Sequence, residues 1–287
     1  MTDELTDPRP APDLPNDPLV ERRIGGEQVY RGVLLDARRD RVQLPDGGKT
    51  VREYIVHPGA VLMIPLRDDG RMIVERQFRY PHNRSFAEFP AGKLDPGEGA
   101  LDTAVRELIE ETGHTAQVWT RLGMIHPVIS YSTEAIEIYE ARGLSHVGAK
   151  LDPGEFLELD VRSEAELYEA LDNERLTDAK TIAALVMHSR WSRAQARSVR
   201  LRIRGQVQGV GFRDWAIRTA SAQHIRGWVR NRGDGSVEAH LQGTRDACDR
   251  FVDACRAGPR ACRVERIDVE RAPFDDTLSE FGLMRSR

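Results

Sequence analysis

From Val29 onward, apolar and polar positions alternate in short runs. Residues 29–35 and 41–44 read as strands, with Pro45-Asp46-Gly47-Gly48 as the hairpin turn before the next run. Residues 50–56, 60–66 and 72–78 continue the series, and Asp68-Asp69-Gly70 folds the last two into a hairpin. Residues 79–90 read as a loop. The period then changes. Leu101, Val105, Leu108 and Thr112 recur at helical intervals and predict one buried stripe. Residues 134–141 and 156–161 return to strand, and residues 163–173 and 178–188 are helical. Strands before, between and after helices predict a mixed sheet covered by helices on both sides, an α/β architecture.

The pattern restarts in the last third. Residues 192–198 (SRAQARS) are short and polar and read as a linker. Val199, Leu201 and Ile203 alternate with arginines as a half-buried strand, a helix follows to about residue 224, and residues 225–231 pair with 236–242 as a hairpin. A helix over 245–256 and a strand over 264–269 complete a βαββαβ order, which predicts a ferredoxin-like α+β sandwich. At the other end, five prolines within the first 18 residues and few apolar ones predict a disordered tail. The expected organisation is a tail over 1–18, a first domain over 19–191, the linker, and a second domain over 199–287.

Length and composition agree with two soluble domains: 287 residues, 40% apolar and 31% charged. The longest apolar run, residues 60–66, is far too short to cross a bilayer, so no membrane partner is expected. The N-terminus has neither the basic region nor the apolar core of a signal peptide. Three cysteines, Cys248, Cys255 and Cys262, form no C-x-x-C pair, and their odd number argues against a disulfide framework. A cytoplasmic protein with reduced thiols is expected. The net charge of −4 hides an asymmetry: from Arg197 onward 18 arginines face 12 acidic residues, a net of +6, and the remainder carries −10. A basic module raises nucleic acid as a partner. Its arginines are spread over strands and helices rather than clustered, so nucleic acid is not expected.

The most specific signal is residues 92–113, GKLDPGEGALDTAVRELIEETG. They fit G-x5-E-x7-R-E-U-x-E-E-x-G, with Gly92, Glu98, Arg106, Glu107, Glu110, Glu111 and Gly113 fixed and Leu108 as the apolar U. Seven such matches arise by chance about once in 10^5 chains of this composition. Glu107, Glu110 and Glu111 share one side of the helix, and Glu98 sits in a Pro-Gly loop that can fold back toward them. Carboxylates gathered this way repel unless a cation lies among them, and hard oxygen donors suit Mg²⁺ or Mn²⁺. Arg106, four residues before Glu110, is placed to hold the acidic set together. A merely solvated acidic helix is the alternative, and the fixed spacing of glycines and Arg106 weighs against it.

This stretch resembles the signature of the Nudix hydrolases, which cleave nucleoside diphosphates linked to another moiety using Mg²⁺. Gln77-Phe78-Arg79-Tyr80-Pro81, the run EFPAGKLDPGE at 88–98, and Thr177-Asp178-Ala179-Lys180-Thr181 resemble the ADP-ribose pyrophosphatase branch, over residues 20–191. The resemblance implies a Nudix α/β/α sandwich with a mixed sheet. It implies metal ligation by the Ala91 carbonyl, Glu107 and Glu111, and puts Glu110 with Glu111 in the catalytic set. It further implies a phosphate contact from Arg79, and an adenine or ribose contact from Arg52 with Glu53. The base, or a further metal ligand, comes from a downstream loop; Glu155, in Leu151-Asp152-Pro153-Gly154-Glu155, is the candidate and Glu134 its rival. The implied reaction is Mg²⁺-dependent cleavage of ADP-ribose to AMP and ribose 5-phosphate by a homodimer. Another nucleoside diphosphate sugar or a dinucleotide is the alternative substrate.

In the second domain, residues 205–213 (GQVQGVGFR) place glycines between a strand and a helix. That arrangement aims successive backbone N–H groups at an anion, and Arg213 can add a bidentate contact. Together with Gly227-Trp228-Val229-Arg230-Asn231 and Gly258-Pro259, the run resembles acylphosphatase over about residues 198–285. The resemblance implies an α/β sandwich in which Arg213 and the amides of Gln208, Gly209, Val210, Gly211 and Phe212 hold a phosphate. Asn231 then orients the attacking water, with no metal and no covalent intermediate. The chain would be a bifunctional hydrolase. The alternative makes this domain a non-catalytic basic module that binds RNA or a nucleotide. Cys248 and Cys255, seven residues apart on the second helix, read as packing residues.

Overall fold

The computed structural model describes residues 17–149, 151, 154, 156–275 and 277–286. Glu155 lies outside the described residues, as do residues 1–16 of the expected tail. The chain divides into two compact units, one ending at His188 and the other beginning at Ser189.

In the first unit, β1 (Arg22–Arg31), β2 (Asp36–Gln43) and β3 (Lys49–Val56) form an antiparallel sheet. The strand expected over 29–35 stops at Arg31, because the Gly32 N–H turns back to the Leu35 carbonyl at 2.8 Å. Next come β4 (Ala60–Pro65), β5 (Met72–Arg79), β6 (Arg84–Glu88), β7 (Ala91–Lys93) and α1 (Ala100–Thr112). They are followed by β8 (His114–Thr115), β9 (Val118–Ile125), β10 (Ile136–Arg142), β11 (Ser145–His146), β12 (Leu157–Arg162), α2 (Glu164–Asp172) and α3 (Ala179–Gln195), whose residues after His188 belong to the second unit. One sheet has the order β7-β4-β10-β9, with β4 and β10 parallel, and another has the order β12-β5-β6. The expected loop over 79–90 therefore contains β6, which owes its existence to pairing with β5.

The six residues of β4 are all buried. Ala60, Leu62 and Ile64 pack with Leu167, Ala184 and Leu185 of α2 and α3, while Val61 and Met63 pack with Ala104 and Leu108 of α1. A strand covered on both faces needs an unbroken apolar run, which is what β4 has. This corrects the expected stripe on α1. Leu101 and Val105 are exposed, and the buried residues are Thr103, Ala104, Leu108, Glu111 and Thr112. Ala104 lets the helix approach β4 closely, and fully buried Leu108 adds about 2 kcal/mol. That rotation carries Glu111 inward.

In the second unit, β13 (Ala196–Gln206), α4 (Phe212–Ser221), β14 (Arg226–Asn231), β15 (Val237–Thr244), α5 (Arg245–Ala257), β16 (Arg263–Arg271) and β17 (Phe281–Leu283) give the sheet order β16-β13-β15-β14-β17. Its first four strands have the ferredoxin-like arrangement, and β17 adds in parallel to β14. Val199, Leu201 and Ile203 pack with Phe212, Ala216 and Ala220 of α4 and with Cys248, Phe251 and Cys255 of α5. Both cysteines are fully buried, and burial pushes the Cys248 thiol up to about 11. Residues 192–198, expected as a linker, are the end of α3 and the start of β13. Ser198 is fixed there by His240 Nε2 at 2.9 Å and the Pro273 carbonyl at 3.0 Å.

Candidate active sites

The first site is built on the corner where β7 passes into α1. Gly113 ends α1 in the left-handed conformation (φ 70°), and a side chain there would strike the Ala149 backbone nitrogen at 2.6 Å. Glycine is required at that position on both counts. Along the helix, Glu107 and Glu111 stand one turn apart and both reach β7. Glu111 is buried, and one of its carboxylate oxygens accepts from the Ala91 N–H at 3.1 Å. The Glu107 carboxyl lies on the bare Cα of Gly92, 1.9–2.2 Å from where a Cβ would be. Gly92 is thus the cradle in which Glu107 rests.

Arg106 holds the remaining carboxylates. Its guanidinium donates to Glu98 at 3.0 and 2.8 Å, to Glu107 at 2.8 Å and to Glu110 at 2.9 Å. The hydrogen bonds from Arg106, with one from Thr103, keep the Glu98 carboxyl down at about 2, and Glu98 holds the Arg106 guanidinium above its ordinary value. Three carboxylates on one guanidinium leave the cluster net negative. Among the described residues no three His, Cys, Asp or Glu side chains converge on a common point. Glu107 and Glu111 are hard oxygen donors on one corner, and the Ala91 N–H that Glu111 accepts belongs to the residue whose carbonyl the resemblance assigns to the metal. That donor set fits Mg²⁺ or Mn²⁺, which take few protein carboxylates.

The other expected residues lie on β3, β5 and the segments that follow them. Arg79 forms a bidentate pair with buried Glu88, at 2.8 and 2.7 Å. Lys180 also bonds Glu88, and donates to Asp178 at 3.0 Å. Burial would raise the Glu88 carboxyl, but the Arg79 hydrogen bond and the Lys180 charge outweigh it, and the group lies below its ordinary value. Arg79, Arg84, Glu88, Asp178 and Lys180 line a pocket of about 480 Å³. Glu88 is three residues from Ala91 in sequence. Arg52 and Glu53 part company, since neighbouring strand residues point to opposite faces. Arg52 bonds Glu21 at 2.5 Å, whereas Glu53 pairs with Arg39 at 2.8 Å and lines a second pocket of about 330 Å³ with Tyr54, Ile55 and Tyr131.

Glu134 stands at a junction that sequence reasoning missed. The chain before it is tied to β3, with Ile55 N–H donating to the Tyr131 carbonyl at 2.9 Å and Thr133 N–H to the Ile55 carbonyl at 3.0 Å. The Gly59 N–H donates to His57 Nδ1 at 3.1 Å, which leaves the ring proton on Nε2, 3.8 Å from the Glu134 carboxylate. Burial, with the Lys93 charge, holds the His57 imidazole below its ordinary value against the pull of Glu134. The only sequence signal was a histidine at the end of a strand, which carries no chemistry alone.

The second site lies between β13 and α4. Gly209 and Gly211 have φ of 73° and 75°, conformations that glycine adopts without strain, and a Cβ on either would meet nothing within 4 Å. Gly211 caps α4, so Val210, Gly211 and Phe212 turn their backbones at a helix N-terminus. Arg213, in the first turn, is half-buried and makes no hydrogen bond or ion pair among the described residues. Asn231 ends β14, and its Oδ1 is buried with no hydrogen-bond partner among the described residues. Gln208 enters through its side chain: Nε2 donates to the Arg232 carbonyl at 2.9 Å and the Ser236 carbonyl at 2.8 Å.

Comparison with known proteins gives each of the two units its own relatives. Residues 56–185 match the NUDIX domain family, and residues 199–283 match the Acylphosphatase family. An ADP-ribose pyrophosphatase of Bacillus subtilis is 36% identical over 169 residues, covering 58% of this chain and 91% of the relative. An acylphosphatase of Rhodopseudomonas palustris is 51% identical over 73 residues, covering 25% of this chain and 74% of the relative. A crystal structure of an ADP compounds hydrolase superposes with a TM-score of 0.57 at 26% identity, covering 62% of this chain and 97% of that one. The chain is therefore a hydrolase that belongs to two families in succession, with a Nudix domain followed by an acylphosphatase domain.

Proposed function

We propose that the Nudix domain cleaves the pyrophosphate of ADP-ribose to AMP and ribose 5-phosphate with Mg²⁺ or Mn²⁺, and that the second domain hydrolyses acyl phosphates without a metal. The observation that carries the first reading is the convergence of Glu107 and Glu111 on Ala91 and Gly92. Those two carboxylates and the Ala91 carbonyl would hold the cation, which when bound supplies charge neutralisation of the pyrophosphate and a polarised water. Glu53 and the aromatic walls of its pocket suit a nucleobase. Arg79, anchored by Glu88, presents its charge to the pocket it lines for a phosphate. Glu134, in a loop fixed to β3, is the described candidate to take the proton from water. The apolar side chains exposed on the first sheet, among them Ile24, Val29 and Tyr30, favour a homodimer.

In the second domain the amides of residues 208–212 and Arg213, which has no partner among the described residues, would bind the phosphoryl oxygens. The unsatisfied Asn231 Oδ1 would accept a hydrogen from the attacking water and orient it. The test is product analysis of the full chain on ADP-ribose, nucleotide sugars, dinucleotides and an acyl phosphate, with Mg²⁺ and with chelator. AMP appearing from ADP-ribose only with metal supports the reading. Cleavage of another diphosphate in preference to ADP-ribose would replace the substrate.

A further inference from the structure

We infer that Gln208 is a positioning residue for Asn231, acting through its side chain and independently of the phosphate contact of its backbone amide. This inference rests on the reading of the second domain as an acylphosphatase. Residues 232–236 close the β14–β15 turn with two backbone bonds, Arg232 N–H to the Ser236 carbonyl at 2.9 Å and Gly235 N–H to the Arg232 carbonyl at 3.1 Å. The two carbonyls that accept those bonds are the same two that accept from Gln208 Nε2. Both partners are acceptors, so the amide nitrogen must face them, and an oxygen turned that way would meet two carbonyl oxygens. A single side chain therefore saturates the turn and ties it to the loop that carries Gly209, Gly211 and Arg213. Asn231 is the residue before Arg232, and it pairs with Val237 across the same hairpin. The link thus fixes the carboxamide of Asn231 relative to the loop. Ser236 is further anchored by Asp234, which accepts from its N–H at 3.1 Å and its hydroxyl at 2.5 Å. The turn is accordingly cross-linked within itself as well as to the loop.

Displacing a catalytic group by about an ångström costs up to about 100-fold in rate. In the full-length protein, Gln208→Ala is expected to lower kcat for acyl phosphate hydrolysis by roughly 10- to 100-fold. The inhibition constant for inorganic phosphate should stay within about threefold, because the loop amides and Arg213 still bind the phosphate. Gln208→Glu places a carboxylate against two carbonyls and should be as slow at neutral pH. Protonated, it regains one O–H donor, so its rate should recover relative to Gln208→Ala as the pH falls. Unchanged amide-exchange protection of β13 and β15 in the same preparations reports that the second domain is folded. A rise in the phosphate inhibition constant with kcat intact would make Gln208 part of the phosphate cradle alone and overturn the inference, as would no change in either. If the parent hydrolyses no acyl phosphate, the functional reading fails and amide exchange decides the link. Faster exchange at residues 231–236 in Gln208→Ala upholds it, and unchanged exchange refutes it.

Discussion

Gly92→Ala separates the catalytic corner from the fold that carries it. A Cβ at residue 92 would lie 1.9 Å from Glu107 Cδ, 2.0 Å from its Oε1 and 2.2 Å from its Cγ, where ordinary contacts are 3.4–4 Å. The Glu107 carboxyl must therefore retreat by more than an ångström. The colliding atoms are the far end of a flexible side chain, and Gly92 is an ordinary strand position with no positive φ, so backbone strain is absent. The expected stability cost is below about 1 kcal/mol. The expected activity cost is much larger, since a misplaced group of this kind loses about 100-fold in rate, or about 2.7 kcal/mol of barrier. The assay is AMP release from ADP-ribose over a Mg²⁺ titration, with thermal unfolding measured alongside. A weakened metal requirement curve, about 100-fold loss at saturating Mg²⁺ and an unchanged unfolding temperature are expected. Activity within threefold of the parent would refute the assignment of Glu107 to the metal corner.

Two further outcomes follow from the same geometry. Arg106→Gln removes the donor that keeps the Glu98 carboxyl at about 2 instead of 4.5. A lowered carboxyl stabilises the fold above its ordinary value and loses that contribution as the pH falls toward 2. Urea unfolding should therefore show the variant less stable than the parent at pH 6, with the gap narrowing by pH 3; a gap that widens on acidification contradicts the clamp. Asn231→Ala deletes a buried acceptor that lacks a partner among the described residues, and such an orphan costs about 1–3 kcal/mol. The variant should lose acyl phosphate turnover by at least about 100-fold while unfolding at the same or a higher temperature, and a marked fall in stability would count against this account of the site.

Much of this was legible in the sequence because the first site is local. The corner of β7 and α1 lies within residues 92–113, so the spacing alone places Glu107, Glu111, Arg106 and the glycines. The glycine loop before α4 in the second domain is equally compact. What the sequence hid depends on distant partners. Leu101 and Val105 look like a core stripe, but Ala104 and Leu108 are the residues that meet β4, and only the packed sheet decides between the two rows. β6 and β9 lack a clear alternation and become strands through β5 and β10. Arg79 meets Glu88 nine residues away, but Lys180 arrives from 92 residues downstream. The Gln208 link spans 24 and 28 residues, and His57 reaches Glu134 across 77 positions; neither has a spacing that marks it.

On the proposed reading, one chain carries two hydrolases that work separately, one with a divalent cation and one without. The most direct measurement assays Glu111→Gln and Arg213→Ala, each in the full chain, on ADP-ribose with Mg²⁺ and on an acyl phosphate with chelator. Glu111→Gln should abolish AMP release and spare acyl phosphate hydrolysis, and Arg213→Ala should do the reverse. Loss of both activities in either variant, or acyl phosphate hydrolysis that survives Arg213→Ala, would contradict it.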